Sequence, residues 1–233
     1  MTATTRTEGP FEGVPWPDVL TARVVSPGPA PRLHGYDCEG DLARTCSLAE
    51  LTLLSLTGEL PTEAQARGFE VATAFLAPIA VNEAPSHAAV LARLCSGSDS
   101  AVLGTASIAL AEQARFAVAE LAGDWSWLAS PVGEVPRALR CRTEEDRERV
   151  KRLRVALGPC GLHVPALARD LGRIPALAAT LVASGLTLPA QVACAWVMAR
   201  LPVAVAEAMA ERAGNLREYP WHLPPFRYEE PQR

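Results

Sequence analysis

Two helix-start signals lie fifteen residues apart with a helix stop between them, and they restrict this chain more than any other feature. "SLAE" (Ser47 to Glu50) and "TEAQ" (Thr62 to Gln65) both place an acceptor side chain three residues before a Glu or Gln. That spacing lets each end satisfy the other's free N–H group. Between them "TGELP" supplies Gly58 to end one helix and Pro61 to forbid its continuation. The spacing predicts a tight helix–turn–helix pair.

The remaining pattern extends this reading. Residues 86–95 and 100–121 form helical candidates, the second long, Ala-rich and nearly uncharged, which suits burial on most sides. Residues 123–136, "GDWSWLASPVGEVP", read as a loop. "TEEDRERVKRLRVAL" (143–157) opens with Thr143 three residues before Asp146, and its acid–base pairs suggest a solvated helix face. "HVPALARDLG", "PALAATLVASG", "PAQVACAWVMARL" and "PVAVAEAMAERAG" follow as separate helical segments, three of them opening with proline. Residues 1–32, rich in Pro, Gly and Thr, read as an extended arm, and the last residues, "YPWHLPPFRYEEPQR", as irregular. Strand signals are nearly absent, so the expected class is all-α, with about nine or ten short helices.

Composition excludes several functions. Hydrophobic residues make up 49% of 233, which supports an ample core. The net charge is −4, and the basic residues form no single stripe, which disfavours nucleic acid and anionic membranes as partners. No charged leader with an apolar run stands at the N-terminus and no charge-free apolar stretch of 18 residues occurs, so the expectation is a cytoplasmic protein. The six cysteines, at 38, 46, 95, 141, 160 and 194, include no CxxC pair and read as reduced thiols, mostly buried. They offer no metal site. Lys151 is the one lysine among 22 basic residues, a bias most simply read as genomic.

The order of pieces resembles the citrate synthase and citryl-CoA lyase superfamily. "LHGYDCEGDLARTCSLAELTLLSLTGELPT" follows the family's opening arm and first helices, with Gly35-Tyr36-Asp37, Leu42-Ala43, Ser47 and the turn from Gly58 to Thr62 in register and His34 in place of an arginine. "APSHAAVLARLCSGSDSAVLGTASIAL" (84–110) is similar to the family's next segment. "PCGLH" (159–163) keeps a proline-to-histidine spacing, and Asp170 follows seven residues later. "LPVAVAEAMAERAGNLREYPWHLPPFRY" resembles the final helices, so the likeness spans 20–228.

The resemblance implies a citrate-synthase-type helical domain over 33–233, with a shortened small domain around 123–188, in a homodimer or paired with a full-length paralogue. It also implies C–C bond formation or cleavage between an acyl-CoA and a keto acid, with CoA entering as substrate and no covalently bound cofactor. That chemistry needs a carboxylate base, histidines that polarise carbonyl oxygens, and arginines that clamp carboxylates. His163 is the candidate catalytic residue, and Arg173 and Arg169 are the candidate carboxylate ligands. Several expected groups are replaced. The enol-stabilising histidine aligns with "ARFA" (114–117), leaving Glu112, Gln113 and Arg115 as nearby polar substitutes. The base aspartate falls near 186–191, where no acid stands, and two family arginines align with Pro224 and Glu211, Arg212 being one step off.

Other polar and aromatic groups carry weaker implications. Glu83 occupies the place of a substrate-binding histidine of full-length citrate synthases, and lyase-like members lack that histidine too. His87 reads as a partly buried structural histidine, and His222 as surface or dimer contact. Trp125 and Trp127 either cover a pocket or bury against neighbouring helices. Two outcomes remain open from sequence: a divergent acyl-CoA/keto-acid enzyme, or a catalytically silent homologue serving as a binding, regulatory or partner subunit.

Overall fold

The computed structural model describes residues 19–216. It divides at Cys46 into two compact units. The first contains a three-stranded antiparallel sheet, β1 (Val25–Ser26), β2 (Arg32–Leu33) and β3 (Tyr36–Asp37), which the sequence pattern did not predict. Its tight β2–β3 turn places His34 and Gly35 at positive φ, 48° and 90°. A short helical segment follows, ending in α1 (Ala43–Thr45). The Asp37 carboxylate accepts the Glu39 and Gly40 N–H groups at its start.

The second unit is helical. Its described elements are α2 (Leu48–Thr57), α3 (Glu63–Leu76), α4 (Ala84–Leu94), α5 (Asp99–Ala119), α6 (Trp125–Ala129), α7 (Glu144–Leu157), α8 (Arg173–Ala183) and α9 (Pro189–Ala210), with short 3₁₀ turns between. The all-α expectation stands. Both capping boxes form: Ser47 Oγ accepts the Glu50 N–H while Glu50 Oε2 accepts the Ser47 N–H at 2.7 Å, and Thr62 and Gln65 repeat the exchange. Gly58 closes α2 in the left-handed region at φ 82°, and its N–H reaches Leu54 O. Thr143 caps α7 through the Asp146 N–H.

Two cores organise these helices. The larger surrounds α8, which is buried almost from end to end by α3, α6, α7 and α9. Its Thr180, fully buried, satisfies its hydroxyl on Ala176 O one turn back. The smaller core joins α4, α5 and α9 through Ala89, Ala106, Ala204 and Ala208 with Val90, Leu94, Val102 and Leu110. Small side chains at the contacts let the three axes approach closely.

Three sequence expectations need correction. Residues 123–136 are not simply a loop, because α6 forms within them. Its Trp125 indole N–H donates to Thr187 O at 2.8 Å and its Trp127 indole to Val132 O at 3.0 Å, so both rings pack on the chain's own core. The last two helical segments are a single helix, α9, with Pro202 inside it. Pro202 faces solvent, where one missing ladder bond is tolerated. Of the six cysteines, all free, Cys160 alone is buried and Cys95 is exposed.

The α2–α3 turn depends on one backbone conformation. Replacing Gly58 by Ala forces a β-carbon into the left-handed region and is expected to lower stability by about 1 kcal/mol in chemical denaturation, with no change in far-UV dichroism.

A candidate functional site at the broken end of α3

"AFLAPIAVNE" ends α3 abruptly. Ala77 donates back to Thr73 O, but Pro78 has no N–H to give, so the carbonyls beyond that point lack the helix's own partners. Two arginines from distant helices supply the missing donors. Arg173, the first residue of α8, donates from Nη2 to Phe75 O at 3.0 Å. Arg200, from the middle of α9, donates from Nε to Leu76 O at 3.0 Å and from Nη2 to Pro78 O at 2.9 Å. Their positive charge also suits the negative end of a helix.

Arg200 is 5% exposed and therefore needs every donor satisfied. Glu83, the residue before α4, supplies both carboxylate oxygens, at 3.0 Å from Nη1 and 3.3 Å from Nη2. Gln113 of α5 accepts from Nη1 as well, and its Nε2 donates to Glu83 Oε2 at 3.0 Å. The Trp196 indole donates to Gln113 Oε1 at 3.3 Å, and the Arg200 guanidinium lies 5.6 Å from that ring's centroid. The Ala80 N–H completes the Glu83 carboxylate's set at 3.0 Å. All five guanidinium N–H donors are taken within the protein.

Partial burial raises the Glu83 pKa, but the Ala80 N–H, Arg200 and Gln113 together outweigh it and hold the carboxyl below its ordinary 4.5. Arg173 is pushed below its ordinary value, by burial first and then by the charges of Arg149 and Arg200, against Asp146 and Glu83. Arg173 forms no ion pair among the described residues, so its charge is the less compensated of the two.

The candidates read from sequence do not all join this cluster. His163 is exposed on the segment between Gly161 and Pro165 and makes no hydrogen bond among the described residues. Its neighbour Leu162 instead packs where Gly68 lets α3 approach; a β-carbon there would meet Leu162 Cδ2 at 2.2 Å. Arg169 is exposed, and its carbonyl accepts from Arg154 Nη2 at 2.9 Å. It lines an open groove of about 460 Å³ with Arg147, Lys151, Arg154 and Asp170. Asp170 lies 3.7 Å from Arg147, and Arg147 also pairs with Glu144. Arg115 is exposed and held by Glu112 at 2.8 Å, stacked over Phe116. His87 is half-buried on α4. His222, Pro224 and the rest of the tail lie outside the described residues. Among the described residues no group of three metal-binding side chains occurs.

Sequence reading named Arg173 and placed Glu83 and Gln113 near the family's substrate groups, but it missed Arg200. A signal was available: Arg200 is the one charged residue between Pro189 and Ala206, and Glu83 the one acid between Glu70 and Asp99. A lone charge in a buried apolar helix requires a partner.

α9 is long and apolar enough to cross a membrane by length and composition, and a third of that window is buried. Within that helix Arg200 is held by Glu83 and Gln113, and the helix packs on α4 and α5.

Two outcomes test the network. Arg200→Lys keeps the charge but loses the five-donor fork, so it should destabilise nearly as much as Arg200→Met, by about 2–3 kcal/mol, reduced from the fully buried range because Glu83 is a third exposed. The depressed Glu83 carboxyl contributes stability that is complete above about pH 5 and lost as pH falls through its folded value. Thermal unfolding between pH 6 and pH 3 should therefore fall less steeply in Glu83→Gln than in the wild-type chain.

No protein-family model matches the chain, and no curated protein matches it. Among solved structures, citryl-CoA lyase from Hydrogenobacter thermophilus is similar with a TM-score of 0.64 at 17% identity, over 91% of this chain and 98% of that one. At that identity the likeness establishes architecture alone: the chain has an all-α fold like that of the lyase.

Proposed function

We propose that this protein is a catalytically silent, citryl-CoA lyase-like subunit that serves in assembly or regulation rather than in C–C bond chemistry. The observation that supports this most is the complete internal use of Arg200. A guanidinium that clamps a substrate carboxylate must have donors to give. Here each one goes to Leu76 O, Pro78 O, Gln113 or Glu83. Arg115, beside the position where the resemblance expects an enol-stabilising histidine, is likewise committed to Glu112.

Apolar surface supports an assembly role. Along α5, Leu103, Ile108 and Phe116 are 48%, 71% and 60% exposed, and on α9 Met198 and Met209 also reach solvent. Large side chains exposed in this way on long helices suit a partner chain. A second copy of this chain, or a full-length paralogue, is the partner proposed.

One observation favours the second reading, an enzyme of altered specificity that uses an acyl-CoA and a keto acid. His163 is accessible and makes no hydrogen bond among the described residues, so its imidazole is free to polarise a ligand's oxygen.

Both readings meet in one set of measurements. Purified protein is incubated with citryl-CoA, and with acetyl-CoA plus oxaloacetate, while light scattering reports mass. The silent-subunit reading expects no turnover and a particle of about twice 24.8 kDa, which Ile108→Glu dissociates. Turnover in the wild-type chain that disappears in His163→Ala would overturn it in favour of the enzyme.

A further inference from the structure

We propose that Glu83 is a built-in carboxylate plug: it occupies the anion position on Arg200 that an external small dicarboxylate would take, with Arg173 as the second cation of that latent site. The proposal rests on the reading of Arg200 as internally satisfied and explains what satisfies it.

The geometry has three parts. First, Glu83 meets Arg200 through both oxygens across both terminal nitrogens, the pairing that a free carboxylate makes with a guanidinium. Second, the acid reaches the site from the turn before α4, next to the exposed Val81 and Asn82, and its side chain remains a third exposed. It can swing outward without dismantling a helix. The bonds from Arg200 to Leu76 O and Pro78 O do not involve Glu83, so the guanidinium stays in place when the acid leaves. Third, charge is left over. Arg173 stands half-buried with one hydrogen bond, to Phe75 O, and feels the positive charge of Arg200 and Arg149. Removing Glu83 would free one N–H on each terminal nitrogen of Arg200 and one on Gln113 Nε2, beside the less compensated charge of Arg173, a donor set that suits a ligand with two carboxylates.

The test is chemical replacement of the plug. Glu83→Ala and Glu83→Gln are titrated calorimetrically with acetate, malonate and citrate at constant ionic strength, beside the wild-type chain, and the melting temperature of each is followed with the same anions. The proposal expects both variants to bind malonate or citrate at least about tenfold more tightly than the wild type does and to melt higher in their presence. Arg173→Gln added to Glu83→Gln should remove the preference for dicarboxylates over acetate. Glu83→Gln keeps a neutral hydrogen-bonding group beside Arg200, so it tests the idea even if Glu83→Ala does not fold. A folded variant that binds no carboxylate, or a wild-type chain that binds one equally well, would overturn the plug. These outcomes are independent of turnover: an active wild-type enzyme defeats the silent-subunit reading, whereas only carboxylate binding decides the role of Glu83.

Discussion

The helical unit is organised around a helix that stops without the means to finish itself. Pro78 removes the N–H that would extend the ladder of α3, and the carbonyls of Phe75, Leu76 and Pro78 must find donors elsewhere. Two guanidiniums answer, one from the start of α8 and one from the middle of α9. Each brings a charge into a partly desolvated place, and that charge then requires an acid. Glu83 on the turn before α4 and Gln113 on α5 complete the set. One break in α3 thereby ties together five helices that are far apart in sequence.

This dependence shapes what the fold can do. An arginine whose five donors are committed cannot also hold a ligand, so the same network that positions α9 closes the place where a carboxylate would bind. The packing around it is otherwise ordinary. α8 is buried by larger aliphatic groups, while α4, α5 and α9 approach through alanines. The same two helices, α5 and α9, also carry large apolar side chains that reach solvent, Ile108 and Phe116 on the one and Met198 and Met209 on the other.

Local signals in the sequence were easily read and long-range ones were not. Ser47, Gly58 and Thr62 announce their roles because each acts within a few residues of itself, and the structure shows those caps as expected. α9 divides in two on paper because proline usually ends a helix; Pro202 does not, since its position faces solvent and the surrounding contacts hold the helix together. α6 escapes notice because Gly, Asp and Ser around it favour turns, whereas the indole N–H of Trp125 finds Thr187 O sixty-two positions away. The pairing of Glu83 with Arg200 spans 117 positions. Composition shows that each is an isolated charge in an apolar neighbourhood, but only the folded chain shows that they answer each other. His163 illustrates the reverse case: its spacing from Pro159 is suggestive, yet its side chain ends up in solvent while Leu162 beside it packs against α3.

The most direct measurement is a double-mutant cycle on folding stability with Glu83→Gln, Arg200→Met and the combined variant. If the two residues form one interaction that anchors the end of α3, their effects will be strongly non-additive, with a coupling of about 1–3 kcal/mol. Additive effects within about 0.5 kcal/mol would mean that the pair is incidental. The account of α3, α9 and their closed site would then fail.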